Sequence, residues 1–380
     1  MIGFPVASQL RAGGGALPAL ADIRVDGLFF VTAAGTYRPL YQSGLTLLAR
    51  TPDERDAFLD DTVGLGFNGV RTFAGHLGYA NQTPLSARVA LPGLLAALER
   101  RRLGLYCCAI TGGKDPAYDV EYHLTEVAAV LRGRPGVLLE GANEIGHPSL
   151  SDLASDVGWL LPTMRRVVPA GLPWTLGAPL GTDEPTPEGT YPTAGGLFND
   201  AHLDRDRDTW NQVRRLRELA AVRESQRTPM FNGEMIGADE QMGGATGTKQ
   251  RRNDPPFFFA AGLLSRGFEL ATVFHSEDGL WARTLRPVTR ACAEAFVAGW
   301  RAIDTHSRLD FINAGWAGSP VAGADFDNGI VRAYSFVSQN RGWTVLVGLK
   351  SDPRVVWGGG WRPVGTIADQ PGIRVIEITK

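Results

Sequence analysis

Val137-Leu138-Leu139-Glu140-Gly141-Ala142-Asn143-Glu144 passes from an apolar run into a polar loop through an Asn-Glu pair, and Pro229-Met230-Phe231-Asn232-Gly233-Glu234 makes the same passage to a second glutamate. Glu144 and Glu234 are 90 residues apart (234 minus 144), room for three intervening strand-helix units. If the strands are parallel and the sheet closes on itself, both carboxylates project into one opening.

The surrounding chain supports that reading. Between about residues 40 and 304, short apolar runs alternate with helical periodicity, the pattern of repeated βα units feeding a parallel sheet. Candidate strands cover 40–48, 67–73, 105–110, 137–142, 174–178, 198–202, 230–233 and 270–275. The first helix is the best marked: Thr51 can cap it, Pro52 sits at its first position, Glu54 completes a capping box, and Gly64 and Gly66 end it. Further helices are expected near 91–102, 118–131, 151–168, 209–223, 256–265 and 288–303. Where a fifth helix should lie, residues 179–197 are rich in Pro, Gly and Thr and read as a long loop, and a second Gly-rich stretch spans 237–247.

After about residue 304 the rhythm changes to strand-like alternation at 331–337, 343–347 and 375–378. The expected fold is therefore α/β: a (β/α)8 TIM barrel over residues 25–304, preceded by an N-terminal extension over 1–24. A small, sandwich-like antiparallel β domain follows over 305–380. That domain has a marginal core of its own and is expected to pack on the barrel.

With 44% hydrophobic residues, 21% charged and a net charge of −2, the 380-residue chain lacks the basic excess that nucleic acid or anionic lipid would call for. Three cysteines, two of them adjacent at Cys107 and Cys108 in an apolar run, make no disulfide framework and read as buried thiols. No basic segment followed by an unbroken apolar stretch opens the chain, and no segment reaches the roughly 20 apolar residues of a membrane span. A cytoplasmic location is the default expectation, with an extracellular or particle-associated role left open.

In a parallel barrel the loops after the strands build the catalytic face. Besides Glu144 and Glu234, that rule selects Arg71 and His76 after the second strand, Asn143 beside Glu144, and His202 after the sixth. After the eighth it selects His275, Glu277 and Trp281. The six histidines (76, 123, 147, 202, 275 and 306) supply no HxH or HExxH pair, and no GxGxxG follows a strand, so neither a metal centre nor a nucleotide cofactor is expected. Gly13-Gly14-Gly15 lies in a segment without strand signal and reads as a linker.

At these residues the chain resembles the superfamily of retaining glycoside hydrolases built on (β/α)8 barrels, which includes cellulases, mannanases, β-galactosidases and xylanases. The resemblance covers about residues 25–304. It implies that Asn143-Glu144 ends the fourth strand with Glu144 as acid/base, and that Glu234 ends the seventh as nucleophile. Gly66-Phe67-Asn68-Gly69-Val70-Arg71-Thr72-Phe73 is similar to the second strand, whose arginine orients the nucleophile, and Trp281 to the aromatic floor of the sugar site. The sixth-strand pattern His-x-Tyr is replaced by His202-Leu203-Asp204, and the third strand ends in Cys108-Ala109-Ile110-Thr111-Gly112 without a polar residue often found there.

Retaining hydrolysis asks for such a pair on chemical grounds: one protonated carboxyl to donate to the leaving oxygen and one carboxylate to attack the anomeric carbon, about 5–5.5 Å apart. With Glu234 ionised beside Arg71, a second charge on Glu144 is disfavoured. Asn143 could donate to the 2-hydroxyl of a sugar. Trp281 is the first candidate for stacking on a pyranose face. For Trp174, Tyr191, Phe198 and Trp210 core packing is the stronger expectation. A second function fits the same fold, a glycan-binding or structural barrel without turnover. The absent His-x-Tyr favours it, and the glutamate pair with Arg71 disfavours it. A carbohydrate is the expected partner in both cases.

Overall fold

The computed structural model describes residues 20, 22–112, 118–145, 150, 156–178, 197–202, 209–234, 255–276, 284–302, 310–313, 321–325, 332–338, 340–349, 354–370 and 372–380. Three short strands come first, β1 (Arg24–Asp26), β2 (Phe29–Thr32) and β3 (Gly35–Tyr37), forming an antiparallel meander. The sequence gives little sign of them, because three- and four-residue strands are too short to establish a period.

Eight parallel strands follow: β4 (Leu40–Ser43), β5 (Gly69–Phe73), β6 (Gly104–Ile110), β7 (Val137–Ala142), β8 (Trp174–Thr175), β9 (Asn199–His202), β10 (Met230–Glu234) and β11 (Ala271–Phe274). Their order, β8-β7-β6-β5-β4-β11-β10-β9, brings first and last strands together as β4 and β11, as a (β/α)8 barrel requires. No ladder joins β8 to β9 among the described residues, and the seam is bridged by Leu197 N–H donating to Trp174 O at 2.8 Å. The first barrel strand is shorter than the sequence suggests, since residues 47–49 form a 3-10 turn.

The helices are α1 (Pro52–Leu65), α2 (Pro84–Arg101), α3 (Val120–Leu131), α4 (Val157–Val167), α5 (Thr209–Gln226), α6 (Pro255–Gly267) and α7 (Pro287–Ala302). At α1 the Glu54 amide donates to Thr51 Oγ1 and the Thr51 amide donates back to Glu54 Oε2, while Gly66 closes the helix at φ +95. Helix α2 starts earlier than its apolar pattern suggests: Thr83 caps it, Pro84 occupies its first turn, and Pro92 lies inside it. The expected loop over 179–197 falls, apart from residue 197, outside the described residues, as does the whole of 237–247.

Side chains alternate across the barrel strands. Leu40, Met230 and Ala201 face the helices, as do Leu105, Cys107 and Leu139, in two outer cores. Tyr41, Tyr106, Leu138, Phe198, Phe231, Ala271 and Val273 face inward and meet Ile23 and Phe30 of the N-terminal meander, which closes the lower end. Phe30 packs edge-on against Phe198 at 5.1 Å, and Tyr106 stacks on Phe231 at 4.6 Å. This aromatic layer is the floor on which the polar site rests.

Beyond α7 the described strands are antiparallel: β12 (Asp310–Asn313), β13 (Val321–Asp325), β14 (Arg332–Ser338), β15 (Arg341–Leu349), β16 (Arg354–Trp357), β17 (Arg362–Gln370) and β18 (Gly372–Thr379). Five of them form one sheet in the order β12-β14-β15-β18-β17. Its inner face shares a core with the barrel helices: Phe268, at the end of α6, meets Phe336 at 5.0 Å and Tyr334 at 5.7 Å, both edge-on.

Candidate functional site

Above the aromatic floor lies a layer of charge. Arg71 of β5 is fully buried and points inward, where its Nε and Nη2 grip both oxygens of Glu140 on β7 at 2.8–3.0 Å. Its Nη1 donates to Glu234 Oε1 at 2.7 Å and its Nη2 to Asn143 Oδ1 at 2.8 Å. The guanidinium also lies over the rings of Phe73 and Tyr106, at 5.0 and 5.6 Å from their centroids. One cation thus joins the second, fourth and seventh barrel strands. Burial acts to lower the Arg71 pKa, but Glu140 and Glu234 more than reverse this, so the group stays charged.

His202, ending β9, stands between the two glutamates singled out by sequence. Its Nδ1 is 3.5 Å from Glu144 Oε1 and 4.0 Å from Glu234 Oε2, and its Nε2 is 3.7 Å from Asp200 Oδ2 and 3.3 Å from Arg71 Nη2. Burial would favour the neutral ring. The charge of Glu234 and the bonds to Asp200 and Glu144 outweigh it, raising the pKa to about 10. Glu140 is pushed up to about 7 by burial, with Arg71 pulling the other way.

Glu144, Glu234 and His202 each offer an atom within 4.8 Å of the others. Glu234 is almost wholly buried, and Glu144 is the more open, with 18% of its side chain exposed. The Glu144 backbone is left-handed at φ +45, a conformation that costs a non-glycine residue about 1–2 kcal/mol. Flanking bonds impose it: Asn143 N–H donates to Ile110 O at 2.9 Å and Ile145 N–H to Ala178 O at 2.8 Å.

Of the remaining expected site residues, His275 is buried directly after β11. His76 is half-buried beyond β5, its carbonyl accepting from Thr111 Oγ1 at 3.3 Å, and its ring lies outside the ionic cluster. Trp281, Glu277 and Tyr191 lie outside the described residues, as does the side chain of Trp210. Trp174 and Phe198 are core residues.

Three members of the cluster escape a search confined to strand ends: Glu140, Asp200 and Tyr106. The signal was present, because Glu140 is four residues before Glu144 and Asp200 two before His202. Even spacing along a strand puts an ionisable residue on the same inward face.

Glu144, His202 and Glu234 on one side, and Glu140, Asp200 and His202 on the other, have the donor spacing of a metal site. Arg71 already supplies their countercharge, two-pronged on Glu140, bonded to Glu234 and touching His202. An ion entering either group would meet the guanidinium.

No protein-family model matches the sequence, and no curated protein matches it either. Solved structures do. A glycoside hydrolase superposes with a TM-score of 0.66 over 95% of this chain and 97% of its own, at 10% identity. A family 5 glycoside hydrolase from Bacteroides vulgatus gives 0.64 over 94% and 93%, at 12% identity. The fold is that of the family 5 glycoside hydrolases. A family 5 mannosidase from Rhizomucor miehei matches over 75% of this chain and all (100%) of its own, with a TM-score of 0.53 and 10% identity. At such identities the likeness extends to the fold, and function has to be argued from the site.

Proposed function

We propose that this protein is a glycoside hydrolase that cleaves O-glycosidic bonds of an oligo- or polysaccharide by double displacement, with Glu234 as nucleophile and Glu144 as acid/base. The observation that carries the reading is the approach of the Glu144 and Glu234 carboxylates to within 4.8 Å of each other through their nearest ligand atoms. That matches the short separation of retaining enzymes and falls below the roughly 6.5–9.5 Å that inverting enzymes keep for a water.

The surroundings support unequal roles. Arg71 donates to Glu234 Oε1 and orients that carboxylate for attack on the anomeric carbon. Glu144, more open at the mouth, protonates the departing glycosidic oxygen as the Glu234–sugar ester forms. Glu144, now a carboxylate, then takes a proton from water, whose oxygen attacks the anomeric carbon and releases Glu234. Asn143 presents its carbonyl oxygen to Arg71, which directs its amide nitrogen as a donor to the sugar's 2-hydroxyl.

The test is assay of the purified protein against aryl glycosides and polysaccharides, with the anomeric form of the first product followed by NMR. Retention of configuration, abolished by Glu234→Gln, is the expected result. Glycan binding without release of reducing sugar would instead support the turnover-free barrel.

A further inference from the structure

The pairing of β9 with β10 loses step at one residue. Phe198 and Phe231 both lie in the inner aromatic layer, while Ala201 and Met230 both lie in the outer core beneath the helices. Unbroken alternation from Phe231 would send Gly233 inward and Glu234 outward. Instead Asn232 pairs with Ala201 and Glu234 with His202, so Gly233 is the extra residue of a β-bulge. The bulge is what sets Glu234 on the inward face with His202, in reach of Arg71.

We infer that Asp200 holds this bulge, a positioning residue that turns Glu234 into the barrel by accepting the amide of Gly233. Asp200 is itself inward-facing and buried, two residues before His202. Its Oδ1 accepts from Gly233 N–H at 2.9 Å and from Ala201 N–H at 2.8 Å, and its Oδ2 accepts the Tyr106 hydroxyl at 2.6 Å. A bulged residue gives up its ladder partner, and the carboxylate replaces that partner with a charge-assisted acceptor. The approach is close enough to dictate sequence: a Cβ at position 233 would lie 2.6 Å from both Asp200 oxygens, so glycine alone admits the clamp. Tyr106, stacked on Phe231, pins the other end of the carboxylate, and the bulge is tied to the third barrel strand as well as the sixth.

The catalytic consequence rests on the reading of Glu234 as nucleophile. The placement of the bulge does not, and the two are separable by experiment. Asp200→Ala removes the acceptor, and Asp200→Asn keeps a carbonyl oxygen for the Gly233 amide. On the best aryl glycoside, Asp200→Ala is expected to lose about 100-fold or more in kcat with KM changed by less than about threefold, the cost of a nucleophile misplaced by about 1 Å. Asp200→Asn should recover to within about tenfold of wild type. Gly233→Ala, which keeps the Asp200 and Tyr106 residues but sets a Cβ against the carboxylate, should reproduce the alanine defect and covers the case in which Asp200→Ala does not fold. Hydrogen exchange supplies an activity-free readout: the Gly233 amide should be protected in wild type and Asp200→Asn and unprotected in Asp200→Ala. Wild-type kcat in Asp200→Ala, equal losses in the Asn and Ala variants, or a Gly233 amide equally protected in all three would overturn the inference. A wild-type protein without turnover would sink the hydrolase reading, and amide exchange would still decide the role of Asp200.

Discussion

Arg71 reaches Glu234 from the second barrel strand to the seventh, Nη1 to Oε1 at 2.7 Å, with both side chains almost wholly excluded from water. Such a pair gains little over an apolar core of the same shape, but breaking it strands a charge. Because Arg71 also holds Glu140 by both oxygens, its loss strands two.

Arg71→Met is therefore expected to destabilise the protein by about 3–5 kcal/mol or more, read from urea unfolding. Arg71→Lys keeps the charge but not the planar fork, and cannot serve Glu140 and Glu234 together. It should fold and lose most of its activity. A lysine variant as active as wild type would remove Arg71 from the positioning of Glu234.

The two glutamates should fail differently. On the proposed double displacement, Glu234→Gln should abolish turnover on every substrate, since the amide cannot form the glycosyl ester. Glu144→Ala should lose about 100-fold or more on ordinary glycosides, the usual share of general acid catalysis. On dinitrophenyl glycosides, whose leaving group needs little protonation, it should still form the glycosyl ester, and azide should restore its breakdown. Azide rescue of the Glu234 variant in place of the Glu144 variant would exchange the roles.

What the sequence disclosed follows from how local each signal is. Asn143-Glu144, His202 and Glu234 are legible because an apolar run stops at a polar residue, Arg71 through the stretch 66–73 in which it lies, and the cap of α1 is written in four consecutive residues. The N-terminal meander is not legible, being too short for periodicity. Glu140 and Asp200 sit inside strands rather than at their ends, and only knowledge of which face is inward marks them as partners of Arg71 and His202. The Gly233 bulge is hidden too, because a shift of register is a relation between two strands and neither strand's sequence contains it.

The C-terminal sheet should report its attachment through Phe336, which is buried against Phe268 at 5.0 Å where α6 ends. Phe336→Ala removes an aromatic ring from a shared core and is expected to cost about 3–5 kcal/mol. Because that core includes barrel residues such as Phe257 and Leu264, the barrel should be destabilised with the sheet. Unfolding followed by near-ultraviolet circular dichroism should remain a single transition at lower urea. A barrel transition that does not move would mean the two parts unfold independently.

His202 gives the pH dependence of stability a definite sign. Its pKa rises from an ordinary 6.5 to about 10 in the folded protein, so its contribution is complete below about pH 6.5 and is lost as pH climbs toward 10. Glu140, raised to about 7, acts in the same direction but is spent by about pH 7.5. Burial raises the thiols of Cys107 and Cys108, adding a like effect only as pH approaches the ordinary thiol value of 9.0. Between about pH 7.5 and 8.5 His202 therefore dominates, and one retained proton implies an unfolding free energy that falls by about 1.4 kcal/mol per pH unit. Urea unfolding of wild type across that interval should show the decline, and His202→Asn should flatten it. A wild-type curve already flat there would mean that His202 is neutral in the folded state, with its Nε2 accepting from Arg71 in place of donating toward Asp200.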